Sequence, residues 1–387
     1  MEIRIDTKSL AITLGSMLAI VEKTSVKPIL NNVLLSAIGG VLTLSASDVS
    51  TYASKDLRAH IKKEGSTTTS ARMLHDIVRK ISDEEIVLHY LEQNEQLQVR
   101  GNNCEFTLAT LPSSQFPSIE NFTPTTAFEV STADFVKILE NTVFSTSTEE
   151  TRYNLNGVCL HITSESESLL RTASTDCHRL SFSSCKIKQG CKSFEIILPR
   201  KTTEEFIRLA KNTNAENLEI GVSDRLVKIK NENTIIVSKL VDGKFPEYKS
   251  LIPSKNTNLL KIDSEYFGEI ISRVSTITTG AIEKLRTVEI KINNQQMTVS
   301  AHGNAYAFAN ETVKFLGKDK AHYTGEELII GFNPRYLLDA LKAIGKTDVE
   351  LLFGTSLSPI LIQPKNDATT SFVVMPIKVA ASNSQIG

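Results

Sequence analysis

Apolar residues recur along this chain with two periods, one helical and one extended, and the switch between them repeats. Residues 1–6 alternate as a strand. Leu10, Leu14, Met17, Leu18 and Val21 then fall at helical spacing, which predicts an amphipathic helix over about 8–22. Asn32 to Ile38 reads as a strand, Gly39-Gly40 as a two-residue hairpin turn, and Val41–Leu44 as its partner. Leu74, Ile77, Val78 and Ile81 mark one face of a second helix, whose polar face carries Arg72, Arg79 and Lys80. Three short strands run to Leu111, and a loop with Pro112, Pro117 and Pro124 closes the unit.

The same order returns twice. Phe135, Leu139 and Val143 predict a helix over about 132–145, followed by strands at Gly157–Ile162 and Leu169–Ser174 and a helix over about 200–211. Phe267, Ile270, Ile271, Val274 and Ile277 mark the next helix, and a hairpin joins Val288–Ile292 to Met297–Ala301 through Asn293-Asn294. Asn333 is a good N-cap, with Pro334 at the first helical position. The helix they open buries Leu337, Leu341 and Ile344, and strands at Val349–Phe353, Ile360–Gln363 and Phe372–Val374 follow. Three cycles of helix, strands, helix, strands at a spacing of roughly 125 residues are an internal repeat. The second helices open alike, with Ala71-Arg72, Pro199-Arg200 and Pro334-Arg335. The expected organisation is α+β, with domains at 1–124, 125–253 and 254–379 and a disordered tail at 380–387. Each amphipathic helix packs one face on an antiparallel sheet, leaving the other faces for a common surface.

Composition narrows the function. At 387 residues, 41% hydrophobic, the chain is long enough for several cores. The net charge of -1 and a pI near 6.7 argue against tight, purely electrostatic nucleic-acid binding. The start, MEIRIDTKSL, lacks a signal-peptide pattern, and no apolar run reaches membrane-spanning length. Five cysteines at unmatched spacings fit reduced thiols in a cytoplasmic protein better than zinc ligands. Cations and acids share the polar faces of the helices, including Lys8, Lys23, Lys201, Arg208, Arg273 and Lys342 against Asp76, Glu140, Glu204 and Glu269. Such a lining touches phosphates without reading bases. A near-neutral protein that must stay on DNA does better to surround it than to grip it.

Candidate chemistry fails on geometry. Asp176-Cys177-His178 invites a Cys/His hydrolase reading, but neighbouring strand residues point to opposite faces, and a structural turn is expected there. Gly345-Lys346-Thr347 resembles the end of a phosphate-binding loop, yet it has Ala340 where the first Gly belongs and follows a helix instead of preceding one. No metal signature and no cofactor motif is present in the sequence.

Four stretches are more specific. RYNLNG at 152–157, TDCHRL at 175–180, KLVDGKFPEY at 239–248 and VVMPIK at 373–378, with KPILNN at 27–32, resemble the bacterial DNA polymerase III beta subunit family, the sliding clamps, in order along the chain. The resemblance implies three clamp domains that dimerise head to tail into a six-domain ring, helices inside and sheets outside. It implies no catalysis. The implied partners are double-stranded DNA held without sequence preference, the replicative polymerase alpha subunit, a clamp loader, and other polymerases and repair proteins. The implied partner groove is Leu155, Thr175, His178, Arg179, Leu180, Pro246, Leu251, Val373, Val374, Met375, Pro376 and Ile377. The implied DNA contacts are Arg72, Arg79, Lys80, Arg152 and Tyr153, and the implied dimer contacts Phe106 and Leu108 against Ile277. Cys177 stands where the family commonly has Gly, which puts a positive φ there in question. Thr24 and Asn154 depart from the DNA-contact pattern, and Pro359 from the groove pattern.

Overall fold

A computed structural model describes residues 1–22, 26–118, 122–163, 168–188, 190–278, 286–303, 307–315 and 321–378. Lys23, Thr24 and the tail 380–387 lie outside the described residues. Six α-helices appear in the expected places: α1 (Thr7–Met17), α2 (Ala71–Val78), α3 (Thr132–Val143), α4 (Arg200–Lys211), α5 (Ser264–Ser275) and α6 (Pro334–Ile344). Their starts are set locally. Asp6, Ser70, Ser131, Asp263 and Asn333 each accept a backbone N–H of the first turn, as N-caps do. α1 ends earlier than the periodicity predicts. The chain turns after Met17, whose carbonyl accepts from both Ile20 and Val21, and this turn still buries the two apolar side chains. Ile277 likewise sits in a 3₁₀ turn, Thr276–Thr278, instead of α5.

The helices pair as α1 with α2, α3 with α4, and α5 with α6, and α3 also meets α6. One apolar core runs through the first two units and a second fills the third. Each unit contributes one strand to its successor. Thr51–Arg58 of the first unit pairs antiparallel with Thr234–Lys239, the last strand of the second, from Thr51 opposite Ser238 to Lys55 opposite Thr234. Arg179–Lys186 of the second unit pairs in the same way with Thr370–Val374 of the third, from Arg179 opposite Val374 to Ser183 opposite Thr370. Side chains reinforce the second junction, where the Asn141 amide donates to Ser183 Oγ at 3.2 Å and Thr370 Oγ1 at 3.1 Å.

The repeat then leaves two strands over. Phe308–Lys314, the third unit's counterpart of Thr51–Arg58, pairs only with Gln296–His302 among the described residues. Glu105–Leu111, the first unit's last strand, pairs with Gln96–Arg100 on one side and only at Thr110 and Leu111 on the other.

The two internal junctions differ in charge. Asp339 of α6 receives the buried Arg179 guanidinium. Glu205 holds the same place in α4, but Thr51 stands where Arg179 would be. Glu205 is 6% exposed, and burial raises its pKa although Arg208 at 3.1 Å works the other way. A carboxyl raised in the folded state stabilises it fully at low pH, and that contribution is lost as pH rises through the folded pKa. Glu205→Gln should therefore be more stable than the parent at pH 7, with the gain shrinking toward pH 4. Urea melts at the two pH values would check this.

Candidate functional site

The site grows out of the second junction. Arg179 and Leu180 are neighbours on a strand, so their side chains leave on opposite faces. Leu180 enters a small third apolar cluster with Leu155, Cys159, Ala173, Ile197, Phe245, Tyr248, Leu361 and Val373. That cluster is separate from the two main cores and joins the second unit to the third. Leu155, Leu180 and Val373 are all but covered and form its floor. Around it stand exposed apolar side chains: Pro246, Leu251 at 52% and Met375 at 44%. Pro376 and Ile377 are half-buried, and the Ile377 N–H donates to the Gly331 carbonyl at 2.8 Å, which pins the end of the segment to the third unit's other sheet. The Met375 N–H donates to the His178 carbonyl at 2.9 Å, so the two edges of the depression are stitched together by backbone.

Four of the expected groove residues face elsewhere. Val374 points into the third unit's core. Arg179 is 8% exposed on the helix side of the sheet, and its guanidinium donates to Asp176 Oδ2 at 3.0 Å, Asp339 Oδ2 at 2.6 Å and the Phe144 carbonyl at 2.7 Å. It also lies over the Tyr336 ring at 4.6 Å. The His178 ring stacks on Tyr336 from the same side, with centroids 6.3 Å apart. Thr175 is buried within the turn, its hydroxyl donating to the Arg179 carbonyl and accepting from the Cys177 N–H. The sequence reading named the floor residues Leu155, Leu180 and Val373 and missed the cluster members beneath them, Cys159, Ala173, Ile197, Phe245, Tyr248 and Leu361. The aromatic spacing of Phe245 and Tyr248 in KFPEY was the available signal.

Asp176-Cys177-His178 is a turn with a twin. Asp176 Oδ1 accepts from the N–H groups of His178 and Arg179, and Asp48 Oδ1 accepts likewise from Ser50 and Thr51. Cys177 has φ 73° and Val49, at the matching place in the first unit, φ 74°. Positive φ is thus kept at Cys177 without a glycine, because the Asp side chain fixes the turn from within. Valine can do no nucleophilic chemistry at the same position. The Cys177 thiol takes a hydrogen bond from Arg152 Nη1 at 2.9 Å, while His178 faces Tyr336. Of the buried thiols, burial pushes Cys185 up to about 12 and Cys159 higher still, which keeps both as thiols. Among the described residues no cluster of His, Cys, Asp and Glu is arranged to hold a metal.

The expected DNA contacts lie on two units. Arg72 is on α2, with Arg79 and Lys80 just past its end, and all three are exposed. Arg79 pairs with Asp76 at 3.3 Å. Arg152 and Tyr153 belong to a 3₁₀ segment, Glu150–Leu155, of the second unit, and Tyr153 is 59% exposed beside Gly243. Most helix cations already have acids, as with Arg200–Glu204 at 3.0 Å and Arg273–Glu311 at 2.8 Å, so the face is mixed in sign. Of the expected dimer contacts, Phe106 is 38% exposed at the open strand edge. Leu108, on the same strand, is 4% exposed and turns its side chain into the first core, as its repeat partners Ser238 and Val374 at the internal junctions are buried. Ile277 is half-buried against the third unit's core.

Repeated helix pairs on sheets that join edge to edge, with both terminal edges open, define a clamp built of like domains. The chain belongs to the DNA polymerase III beta subunit family, whose models match at residues 1–120 (N-terminal domain), 129–247 (central domain) and 249–378 (C-terminal domain). A beta sliding clamp of Rickettsia felis is 41% identical over 97% of this chain and 99% of that one. The Caulobacter vibrioides clamp is 32% identical over 98% and 100%. Among solved structures, a Pseudomonas aeruginosa DnaN sliding clamp bound to griselimycin aligns with a TM-score of 0.91 at 28% identity, over 98% of this chain and all of that one. The family is a non-catalytic processivity factor, and nothing supports the hydrolase alternative.

Cys177→Gly tests the turn. Relief of a positive φ offsets the added chain entropy, so stability should change by no more than about 1 kcal/mol in a urea melt, with polymerase processivity retained.

Proposed function

We propose that two copies of this chain close head to tail around duplex DNA and tether the cell's replicative polymerase through the apolar groove between the second and third units. The observation that carries the reading is the pair of unmatched strand edges. Both internal junctions are made by the same two strands of the repeat. Among the described residues, Phe308–Lys314 and the free part of Glu105–Leu111 are the copies of those two strands left without a junction partner, in the third and first units. A second copy satisfies both, once at each seam, and the ring closes. The register carries over from the internal junctions, giving Leu108 opposite Ala307, Phe106 opposite Ala309 and Glu105 opposite Asn310. Phe106 and the 53% exposed Phe308 are then covered. We place domain boundaries at 1–124, 125–253 and 254–379.

The groove suits a short peptide with apolar anchors. Its floor is preformed, and its rim offers Leu251, Pro246 and the adaptable Met375. Val373, Pro376 and Ile377 complete one wall. The occupants we propose are the polymerase alpha subunit first, then a clamp loader, other polymerases and repair proteins in turn. DNA would meet Arg72, Arg79, Lys80, Arg152 and Tyr153 through phosphates. No helix of the described residues is long and apolar enough to cross a membrane, and we place the protein in the cytoplasm with the chromosome.

Loading tests the central claim: the clamp should stay on circular duplex and be lost from linear duplex. Equal retention on both, or on neither, would reject it. The register is checked separately in a Cys104→Ser background. Glu105→Cys with Asn310→Cys should oxidise to a covalent dimer, since directly opposed positions are about 5 Å apart. Glu105→Cys with Glu311→Cys should not, because a one-residue step turns the side chain to the other face. In the groove, Leu251→Ala with Met375→Ala should weaken a labelled polymerase peptide by about tenfold or more, with the dimer intact by sedimentation.

A further inference from the structure

Arg179 connects three pieces of chain that otherwise meet only loosely. Asp176 belongs to the turn before its strand, Phe144 to the end of α3, and Asp339 and Tyr336 to α6 of the next unit. The guanidinium uses its whole fork: Nε to Asp176, Nη1 to Asp339 and Nη2 to the Phe144 carbonyl. Both carboxylates are largely covered, with side-chain exposures of 17% for Asp176 and 29% for Asp339. Covered carboxylates of this kind need their cation, so the three pieces are held at one mutual distance.

The backbone of Arg179 is also the groove's wall. Arg179 is opposite Val374, and Leu180, the next residue, is opposite Val373; both Leu180 and Val373 form the floor of the apolar cluster. The same strand ends meet again where the Met375 N–H bonds the His178 carbonyl. A shift of α6 against α3 must therefore pass through Arg179 into the spacing of Leu180, Val373 and Met375.

Asp339 has a second suitor. Arg335, one helical turn earlier on α6, approaches it at 3.8 Å and is 59% exposed. Arg335 opens into the cleft on the helix side, beside Arg200, Ser147 and Glu149. Asp339 is thus shared between a close, covered partner and a distant, exposed one. An anion that engages Arg335 releases Asp339 to Arg179 alone.

We propose that Arg179 is a positioning residue of the partner groove, and that the carboxylate it shares with Arg335 ties groove geometry to phosphate on the helix-lined side. It touches no peptide itself. This rests on the reading of the groove and the ring given above. The sign follows from the sharing: DNA phosphate at Arg335 tightens the Arg179–Asp339 contact, fixes the junction and raises peptide affinity. By linkage, peptide raises the clamp's hold on DNA by the same factor.

The experiment measures a fluorescein-labelled polymerase peptide on free clamp and on clamp loaded onto circular duplex. The loaded wild type should bind about fivefold tighter. Arg335→Ala, an exposed change, should tighten binding to the free clamp and abolish the difference made by DNA. Arg179→Lys keeps the charge but not the fork, and should weaken the peptide by about tenfold with the dimer intact. Equal affinity for free and loaded wild type overturns the coupling, and an unchanged affinity in Arg179→Lys overturns the positioning role. The Leu251/Met375 double variant separates the two readings. If it too binds normally, the groove is misplaced; if it alone loses the peptide, the groove stands and this proposal fails.

Discussion

Edge pairing between consecutive units is the constraint on which the rest of the molecule depends. A strand edge with unpaired N–H and C=O groups is a template for another strand. The chain uses that liability twice, in nearly identical registers, to fuse three like units into one arc. The helices have little freedom once this is done. Each pair packs its apolar face on its own unit's sheet, and α3 meets α6 across the second junction. The groove is a by-product of the second fusion, where strands of two units run into one continuous sheet and residues of both leave a shared third cluster.

The first fusion has the same backbone and no comparable groove. Tyr52 stands where Leu180 does and its hydroxyl donates to Ser45 at 3.0 Å. Thr68 replaces Ile197, and its hydroxyl donates to the Leu111 carbonyl at 2.9 Å. Lys228 replaces Leu361 and lies over the Phe122 ring at 5.9 Å. Polar groups satisfied in place fill the position that the second junction leaves apolar, so it offers no desolvated socket for a peptide anchor. One groove per chain is thus a property of side chains and not of topology.

Much of this was legible in the sequence. Most helices announce themselves because Leu, Ile, Phe and Val recur on their buried faces at helical spacing, α4 with Thr202, Thr203, Glu205, Phe206 and Ala210 being the exception, and Asn333-Pro334 gives a start to the residue. The strands at 51–58 and 65–70 do not. Their covered positions are Thr51, Ala53, Thr67, Thr68 and Thr69, and at Thr68 and Thr69 a hydrogen bond to a backbone carbonyl stands in place of hydrophobicity. Thr51–Arg58 is also the strand that makes the first junction, so the edge-to-edge logic was invisible while the repeat itself was plain. The groove residues on the rim were legible through family motifs. The rest of the cluster under it was not, because no local pattern distinguishes Ala173 or Ile197 from any core residue. Arg179 shows the opposite failure: motif matching assigned it to the groove, and the alternation of a strand assigns its side chain to the other face.

The three kinds of junction in a closed ring are unequal in strength. At the second junction the Arg179 fork bridges Asp176 and Asp339 under cover. At the first, Lys201 pairs with Asp48 from a half-exposed position, which is worth less. In the ring we propose, the register puts Ala307 in the place of Arg179 on the side of Asp76, whose cation is Arg79 just past the same helix. That seam would rest on a short ladder and the burial of Phe106 and Phe308. Each ring covered there is worth about 1.5–3 kcal/mol and each ladder bond about 1 kcal/mol net, against an association cost of at least about 4 kcal/mol, so in the ring we propose the seam between copies is the junction with the least to hold it.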